Sequence, residues 1–283
     1  MKKIFKWVLI IFVVIFMTII YARYIGTLGL ETKEYTINDG SIPIDFDGLK
    51  IVHFSDLHYN RAINTKKINE IIDEINLINP DIVVFTGDLI DKDVILKDKD
   101  YEDLAKLLSK INTKYGKYAI AGNHDISNIE KVIDIYSNSN FKFLDNDYDI
   151  IYSKGNEKIF IGGLNSVSEK KDDIDKMMSY FKDNEEEIFK IILIHEPDIA
   201  DTIVKDYSVN LILAGHSHNG QVRLPIVGPI YTPSYAKNYY DNYYNLDGTN
   251  LYISSGIGVS TVNYRLFNHP SINFYRINKE TSE

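Results

Sequence analysis

The stretch Ala214-Gly215-His216-Ser217-His218-Asn219-Gly220 decides how the rest of this chain is interpreted. It follows the apolar run 211–213, whose length and composition are typical of a buried strand. Two imidazoles one residue apart therefore stand where a strand ends and a loop begins, which is where α/β proteins bind ligands. A single His-x-His pair is weak evidence for a metal site, so the interpretation depends on the rest of the chain.

Other short polar motifs also end an apolar run. They are Asp56-Leu57-His58, Gly87-Asp88, Gly122-Asn123-His124-Asp125 and His195, which follow the runs 51–54, 82–85, 118–121 and 191–194. The chain contains seven histidines, and five of them lie in these motifs and the first stretch. If the strand ends lie side by side, the motifs form one site.

Together the motifs offer seven oxygen and nitrogen donors: Asp56, His58, Asp88, Asn123, His195, His216 and His218. Seven donors are too many for one tetrahedral zinc ion, but they suffice for two metals that share a carboxylate. Two such ions lie roughly 3.5–4 Å apart, lower the pKa of a bridging water and stabilise the attacking and leaving oxygens of an in-line displacement. Because the chain has no cysteine, thiolate metal sites, disulfides and cysteine nucleophiles are excluded.

Length and composition favour a single catalytic domain. With 283 residues and 45% hydrophobic content, the chain is long enough to fill one large core. Its formal net charge of −9 argues against a nucleic-acid partner, because that binding depends on Lys and Arg neutralising phosphates. We therefore expect a monomer that acts on a phosphorylated small molecule or lipid.

The N-terminus reads as a membrane anchor. Lys2, Lys3 and Lys6 precede an uncharged run over 7–22, and Arg23 follows it. A helix of this length spans about 24 Å, and the flanking cations can extend towards the headgroups. Because the lysines precede the run, they favour a cytoplasmic N-terminus and an extracytoplasmic domain. A cytoplasmic domain and a secreted protein with a cleaved signal peptide remain alternatives.

After this run the chain alternates strands with helices. Predicted strands cover 49–54, 81–86, 117–121, the region near 150, 158–161, 189–194 and 210–213. Predicted helices cover 65–79, 101–111, 129–136, 172–184 and 198–205. Strands alone are predicted later, over 221–224, 251–254 and 272–277.

The five motifs, in this order, resemble the signature of the calcineurin-like metallophosphoesterases, over about residues 49–275. The resemblance implies an α/β fold, a four-layer α/β/β/α sandwich with a dinuclear site between the sheets. With the N-terminal pattern, it divides the chain into three parts: a membrane anchor over 1–24, a tether and edge strand over 25–48, and the phosphoesterase domain over 49–278.

The same resemblance implies a role for each site residue. Asp56, His58 and His218 would bind one divalent ion (Mn, Fe or Zn), and Asn123, His195 and His216 would bind another. Asp88 would bridge the two ions. His124 would protonate the leaving oxygen or stabilise charge on the phosphoryl group, with Asp125 orienting its ring.

The runs 220–225, 255–258 and 265–267 resemble a membrane-anchored or secreted bacterial branch of this family. Some of its members hydrolyse UDP-2,3-diacylglucosamine-type pyrophosphates. Arg223 and Arg265 are candidates to hold substrate phosphate, with surface ion pairs as the alternative. We interpret His53 as a core or supporting histidine, and Asp91 as a supporting or helix-start residue.

We therefore expect a metal-dependent phosphoesterase that cleaves a phosphoester or pyrophosphate bond with metal-bound hydroxide, on a membrane or envelope substrate such as a glycolipid pyrophosphate. A nuclease or a protein phosphatase of the same fold is an alternative. A metal-binding module without catalysis is another, although such a module would not need His124 and Asp125.

Overall fold

The computed structural model describes residues 1–182, 184 and 186–280. Its α-helices are α1 (Lys2–Tyr24), α2 (Thr65–Ile78), α3 (Asp98–Leu108), α4 (Ile129–Asn138), α5 (Ile174–Met177) and α6 (Ala200–Asp206). The strands are β1 (Glu31–Asp39), β2 (Leu49–Phe54), β3 (Ile82–Phe85), β4 (Gly116–Ala119), β5 (Phe141–Phe143), β6 (Asp147–Tyr152), β7 (Lys158–Gly163), β8 (Phe189–Leu193), β9 (Leu211–Ala214), β10 (Arg223–Leu224), β11 (Gly228–Pro229), β12 (Tyr243–Leu246), β13 (Thr249–Ile253) and β14 (Ser271–Lys279). Short 3₁₀ turns cover Ile44–Phe46, Ile126–Asn128, Ser179–Lys182, Pro197–Ile199 and His218–Gly220.

The strands form two six-stranded sheets and one small hairpin. The first sheet has the order β1-β14-β2-β3-β4-β5, and the second has the order β12-β13-β9-β8-β7-β6. In the first sheet only β14 and β2 pair antiparallel; in the second, β13, β9, β8 and β7 are parallel and the two outer strands are antiparallel. β10 and β11 form the hairpin.

The two sheets pack face to face, and helices cover both outer faces. Along β8, Ile191 and Leu193 pack between the sheets, whereas Ile192 packs on the side of α5 and α6. Along β3, Val84 faces the second sheet, whereas Val83 packs against α2, α3 and α4. This alternation follows from the two-residue period of a strand. The predicted four-layer α/β/β/α sandwich is confirmed.

Helix α2 shows how the local sequence sets an element. Isoleucines at 68, 71, 72 and 75 are buried on one face, at the spacing of an amphipathic helix. The Asn64 side chain accepts a hydrogen bond from Lys67 N and caps the first turn. Asn79 ends the helix in the left-handed conformation, directly before Pro80.

Some sequence-based predictions of elements differ from the structure. The helix predicted over 172–184 is only α5 and one 3₁₀ turn, because its apolar stripe covers about two turns and so short a helix is marginal by itself. Asp183 falls outside the described residues. The strand predicted over 221–224 begins at Arg223, because Gln221 has a φ of +40° and cannot continue an extended chain. Strands β5 and β12, both at sheet edges, were missed.

The N-terminal segments join the first sheet. α1 is long and apolar enough to cross a membrane, and it is the one such helix in the part of the chain that the structure describes. β1 pairs with β14 in parallel from Glu31 opposite Ser271 to Asp39 opposite Lys279. The segment 25–48 therefore supplies the edge strand of the first sheet.

We predict that Ile191→Ala lowers the free energy of unfolding by about 2–5 kcal/mol. Ile191 is fully buried between the sheets, so the change removes apolar contacts and leaves a cavity. Thermal unfolding of the full chain in detergent would measure the effect. Leu77→Ala, at an exposed position of α2, is the control and should change stability little. Equal effects of the two changes would contradict the assigned packing between the sheets.

Candidate metal centre

The polar motifs lie at one end of the two sheets. The parallel strands β2, β3 and β4 of the first sheet, and β8 and β9 of the second, all end there. Among the side chains that follow these strands, Asp56, His58 and His218 form a first cluster whose ligand atoms lie within 4.8 Å of one another. His218 Nε2 is 3.3 Å from both His58 Nε2 and Asp56 Oδ1.

Asp88, His195 and His216 form a second cluster beside the first, again with ligand atoms within 4.8 Å of one another. Asp88 Oδ2 lies 3.3 Å from His195 Nε2 and 3.6 Å from His58 Nε2. Asp88 therefore stands between a member of the first cluster and a member of the second. The side-chain Oδ1 of Asn123 is buried and has no hydrogen-bond partner among the described residues.

Supporting oxygens orient three of the imidazole rings. Thr86 O lies 2.6 Å from His195 Nδ1, and Ser234 O lies 2.9 Å from His216 Nε2. Since a carbonyl only accepts, these nitrogens carry protons, and His195 Nε2 and His216 Nδ1 are the nitrogens that could offer a lone pair to a cation.

His58 has a carboxylate in the same supporting position. Asp91 Oδ2 lies 3.4 Å from His58 Nδ1 and accepts a 2.6 Å hydrogen bond from Arg61. This contact leaves Nε2 of His58 facing His218 and Asp88. Asp91 is buried and supports His58, in agreement with the supporting role expected from the sequence.

The backbone at the site is strained. Asp56, His58, Asp88, His216 and His218 have φ values of 53°, 43°, 58°, 64° and 46°. Residues other than glycine rarely adopt positive φ values. Those that do are concentrated at functional sites, where the surrounding structure stabilises the strained backbone. The sharp turns at these positions direct the side chains inwards from the strand ends.

Buried carboxylates connect the loops that carry the site. Both oxygens of Asp56 accept from the backbone N of His216, at 3.2 and 3.1 Å, which joins the first sheet to the second. The carboxylate of Asp125 accepts from the backbone N atoms of Asp88, Leu89, Ile90 and Gly122. Asp125 therefore holds the loop after β3 against the loop after β4.

The prediction that Asp125 orients the ring of His124 is wrong. Asp125 is fully buried, and its hydrogen bonds go to the four backbone N–H groups. The carboxylate nearest the ring is that of Asp91, whose Oδ1 lies 3.7 Å from His124 Nδ1. Lys92 N also donates a long hydrogen bond of 3.5 Å to this Nδ1.

The electrostatic environment favours positive charge at the clusters. Burial lowers the pKa of an imidazole, but the carboxylates of Asp88, Asp56 and Glu196 together outweigh burial and hold the pKa of His195 well above its usual value. Burial raises the pKa of Asp88, yet His195, His124 and His58 together outweigh burial and hold it well below the usual value. Burial lowers the pKa of His218 to about 4, so this ring is neutral at neutral pH.

Neither arginine faces the clusters with a free guanidinium. Arg265 is fully buried, and its Nη2 donates to the carbonyls of Ser255, Gly256 and Gly258. Those contacts leave no path from Arg265 to a substrate phosphate, so that prediction is wrong. Arg223 donates to Asp241 Oδ1 at 2.6 Å, which is the ion pair weighed as the alternative.

A cavity of about 700 Å³ opens beside the clusters. Asp88, Asn123, His124, His216 and His218 line its polar end. Its other walls come from α1 and from the loops after the 3₁₀ turn His218–Gly220 and after β13; they are Thr18, Ile19, Ala22, Gly220, Gln221, Val222, Ile230, Tyr231, Pro233, Ser260, Thr261, Val262, Tyr264, Leu266 and Ser217.

The sequence did not reveal several supporting residues. Thr86 and Ser234 act through backbone carbonyls, which leave no residue-type signal. Glu196, which directly follows His195, is buried and accepts from Ser166 and Ser168. Its position beside a candidate ligand is the signal that could have identified it.

The residues present fit divalent cations. The donors are carboxylate, amide and imidazole groups, which suit such ions. His195 Nε2 is buried without a hydrogen-bond partner among the described residues, as Asn123 Oδ1 is, and a cation would satisfy both atoms.

A family model described as calcineurin-like phosphoesterase matches residues 49–220. The chain is 35% identical over 259 residues to the protein named uncharacterized metallophosphoesterase YkuE of Bacillus subtilis, over 91% of this chain and 88% of that protein. It is 29% identical to the metallophosphoesterase Cj0846 of Campylobacter jejuni, over 84% of this chain and 62% of that protein. The sulfate thiohydrolase SoxB of Thermus thermophilus superposes with a TM-score of 0.50 at 11% identity, over 82% of this chain and 57% of that one.

We predict that Gly122→Ala weakens Mn²⁺ binding about 10–100-fold, the effect typical of displaced supporting groups. A Cβ at Gly122 would overlap Asp88 and His195, so the second cluster must open. Isothermal titration of the folded full chain would measure the affinity.

Gly40→Ala is the matched control, because a Cβ there has 4.0 Å to its nearest neighbour, Glu280 O. If the folded Gly122→Ala protein bound Mn²⁺ as tightly as the control, the second cluster would not be a cation site.

Proposed function

The chain belongs to the calcineurin-like phosphoesterase family and is a metal-dependent hydrolase, and we propose that it uses two divalent ions to cleave a phosphoester or pyrophosphate bond of a membrane-associated substrate. The observation that carries the proposal is the position of Asp88. It belongs to the second cluster, and its Oδ2 also lies 3.6 Å from His58 Nε2 of the first cluster, in the wall of the cavity.

In this proposal the first ion is held by Asp56, His58 and His218. The second ion is held by Asn123, His195 and His216, and Asp88 is shared. Mn, Fe and Zn all suit this set of nitrogen and oxygen donors. Bound ions would activate a water molecule and stabilise the negative charge that develops at phosphorus.

His124 is the residue that we assign to proton transfer. Its ring lines the cavity, and its backbone N donates to Asp88 Oδ1 at 2.8 Å, which fixes the ring beside the shared ligand. Burial lowers the pKa of His124, and the Asp88 and Asp91 carboxylates oppose that shift. Nδ1 faces Lys92 N, so Nε2 is the nitrogen that would transfer a proton. The protonated ring would give that proton to the leaving oxygen and become neutral.

The cavity supports a substrate with an apolar part. Its volume of about 700 Å³ exceeds the need of a phosphate group, and apolar side chains such as Ile19, Ile230 and Val262 line the end away from the clusters. A lipid phosphate or a glycolipid pyrophosphate has this combination of charged head and apolar tail. The net charge of −9 disfavours a nucleic acid.

Membrane anchoring by α1 is part of the proposal. The helix has the length and composition of a membrane span, with lysines before it and Arg23 near its end. The lysines support an extracytoplasmic domain. We expect the protein to act as a monomer.

We predict that chelation abolishes hydrolysis of p-nitrophenyl phosphate and bis-p-nitrophenyl phosphate by the full chain in detergent, and that Mn²⁺, Fe²⁺ or Zn²⁺ restores it. Asp88→Ala should remain inactive with every metal, because a shared ligand is lost. Asp73→Ala, on the exposed face of α2, is the control and should keep wild-type activity. Full activity of the chelated protein, or of Asp88→Ala, would refute the two-metal proposal. Inactivity with every metal, in a protein that still binds two ions, would favour a non-catalytic module.

We predict that His124→Ala lowers turnover by about two to four orders of magnitude, the usual contribution of a general acid. Metal content, measured by plasma mass spectrometry, should stay unchanged because the ring donates no ligand. His269→Ala, in an exposed loop, is the control. Loss of metal from His124→Ala would instead make His124 a ligand in a cluster with His58 and Asp91.

A further inference from the structure

We propose that the hairpin β10–β11 and the end of α1 form one lipid-contacting surface, and that the cavity opens through this surface into the leaflet. The partner is a phospholipid leaflet. An amphiphilic phosphate ester would enter sideways from it, with its head at the clusters and its tail beside α1. This inference rests on the proposed function for the nature of the substrate.

The end of α1 is fixed to the domain behind the clusters. Arg265 N donates a 2.8 Å hydrogen bond to Ala22 O, in the last turn of the helix. Ala22 is buried, and Gly26 packs so closely that a Cβ there would overlap Arg265 O. The guanidinium of the same arginine lies 3.3 Å from His218 Nδ1. The helix end therefore has a defined position relative to a candidate ligand.

The hairpin is attached to the same loop as α1. Arg223 N donates to Leu266 O at 2.9 Å, one residue beyond Arg265. Ile230 N donates to Val222 O at 3.0 Å and closes the hairpin base. Leu266 follows Arg265, and Val222 lies two residues after the 3₁₀ turn that holds His218. The hairpin, the end of α1 and the first cluster are therefore connected as one unit.

The hairpin exposes apolar side chains at its tip. Ile226 and Val227 are exposed, and Ile226 has a φ of 71°, which is unusual for a β-branched residue. Val227 N donates to Pro225 O across this position, so Ile226 is the centre of a tight three-residue turn. Glycine or asparagine would suit this turn in water. An isoleucine at this position therefore indicates that the side chain contacts an apolar environment outside the protein.

Uncharged sequence surrounds the mouth of the cavity. No charged side chain occurs in residues 7–22 of α1, in 224–236 from the hairpin onwards, or in 251–264 from β13 onwards. Each of these segments contributes to the cavity wall, through residues such as Ile19, Tyr231 and Val262. Charged groups are absent from apolar membrane contacts for the same energetic reason that they are rare in membrane spans.

The cavity extends along α1 for about one helical turn, as an entrance from the side of the membrane would require. Thr18 and Ala22 both line it, and one helical turn of about 6 Å separates them at about 1.5 Å per residue. If Ala22 lies near the membrane surface, Thr18 lies within the apolar layer. With that placement, the cavity would extend from the clusters to the level at which lipid tails begin.

The absence of cysteine allows single labels to test this surface. Ile226→Cys and Val262→Cys, each carrying a nitrobenzoxadiazole fluorophore, report on the hairpin tip and on the mouth. Leu77→Cys carries the same label at an exposed position of α2, whose C-terminal end lies away from the clusters. The full chain would be placed in phosphatidylcholine–phosphatidylglycerol nanodiscs with and without doxyl-labelled phosphatidylcholine.

We predict that doxyl lipid quenches the labels at 226 and 262 at least threefold more strongly than the label at 77, and that their emission shifts to shorter wavelength. Quenching at 226 and 262 no stronger than at 77 would overturn the proposal. Quenching at 226 alone would overturn the lateral entrance. The readout requires no catalysis, so failure of this surface and failure of the proposed hydrolase activity are distinguishable.

Discussion

The burial of several carboxylates at one point is the constraint on which this structure depends. Asp56, Asp88 and Asp91 are buried at the ends of adjacent loops, and their pKa values lie below the usual range although burial opposes ionisation. Buried negative charge of this density needs compensating positive charge. Histidines and Arg61 supply part of it, and divalent cations would supply the rest. The arrangement is therefore explained by cation binding rather than by stability.

This constraint accounts for the architecture around the site. Parallel strands of two sheets end at the same place, so donors that are far apart in sequence converge. The carboxylates of Asp56 and Asp125 join the loops by accepting backbone N–H groups, which holds strained positions such as His58 and His216 in place. The site is rigid because its connections cross from one sheet to the other.

Much of this could be predicted from the sequence, because each motif follows an apolar run of strand length. Local patterns and one family resemblance were enough to predict the layers, most of the strands and the convergence of the seven candidate ligands. The remainder depends on long-range contacts. Nothing local distinguishes Asp125, which binds backbone N–H groups, from a carboxylate that orients a ring, and nothing near Arg265 indicates that carbonyls of 255–258 surround it. The contact between α1 and the cavity joins residues more than 200 positions apart and has no local signal.

We infer that two cation positions share Asp88. Crystals of the full chain grown with Mn²⁺ and measured at an anomalous wavelength would test it most directly. We expect two anomalous peaks, roughly 3.5–4 Å apart, one on each side of the Asp88 carboxylate. A single peak held by His58, Asp91 and His124, with Asp88 unliganded, would contradict it.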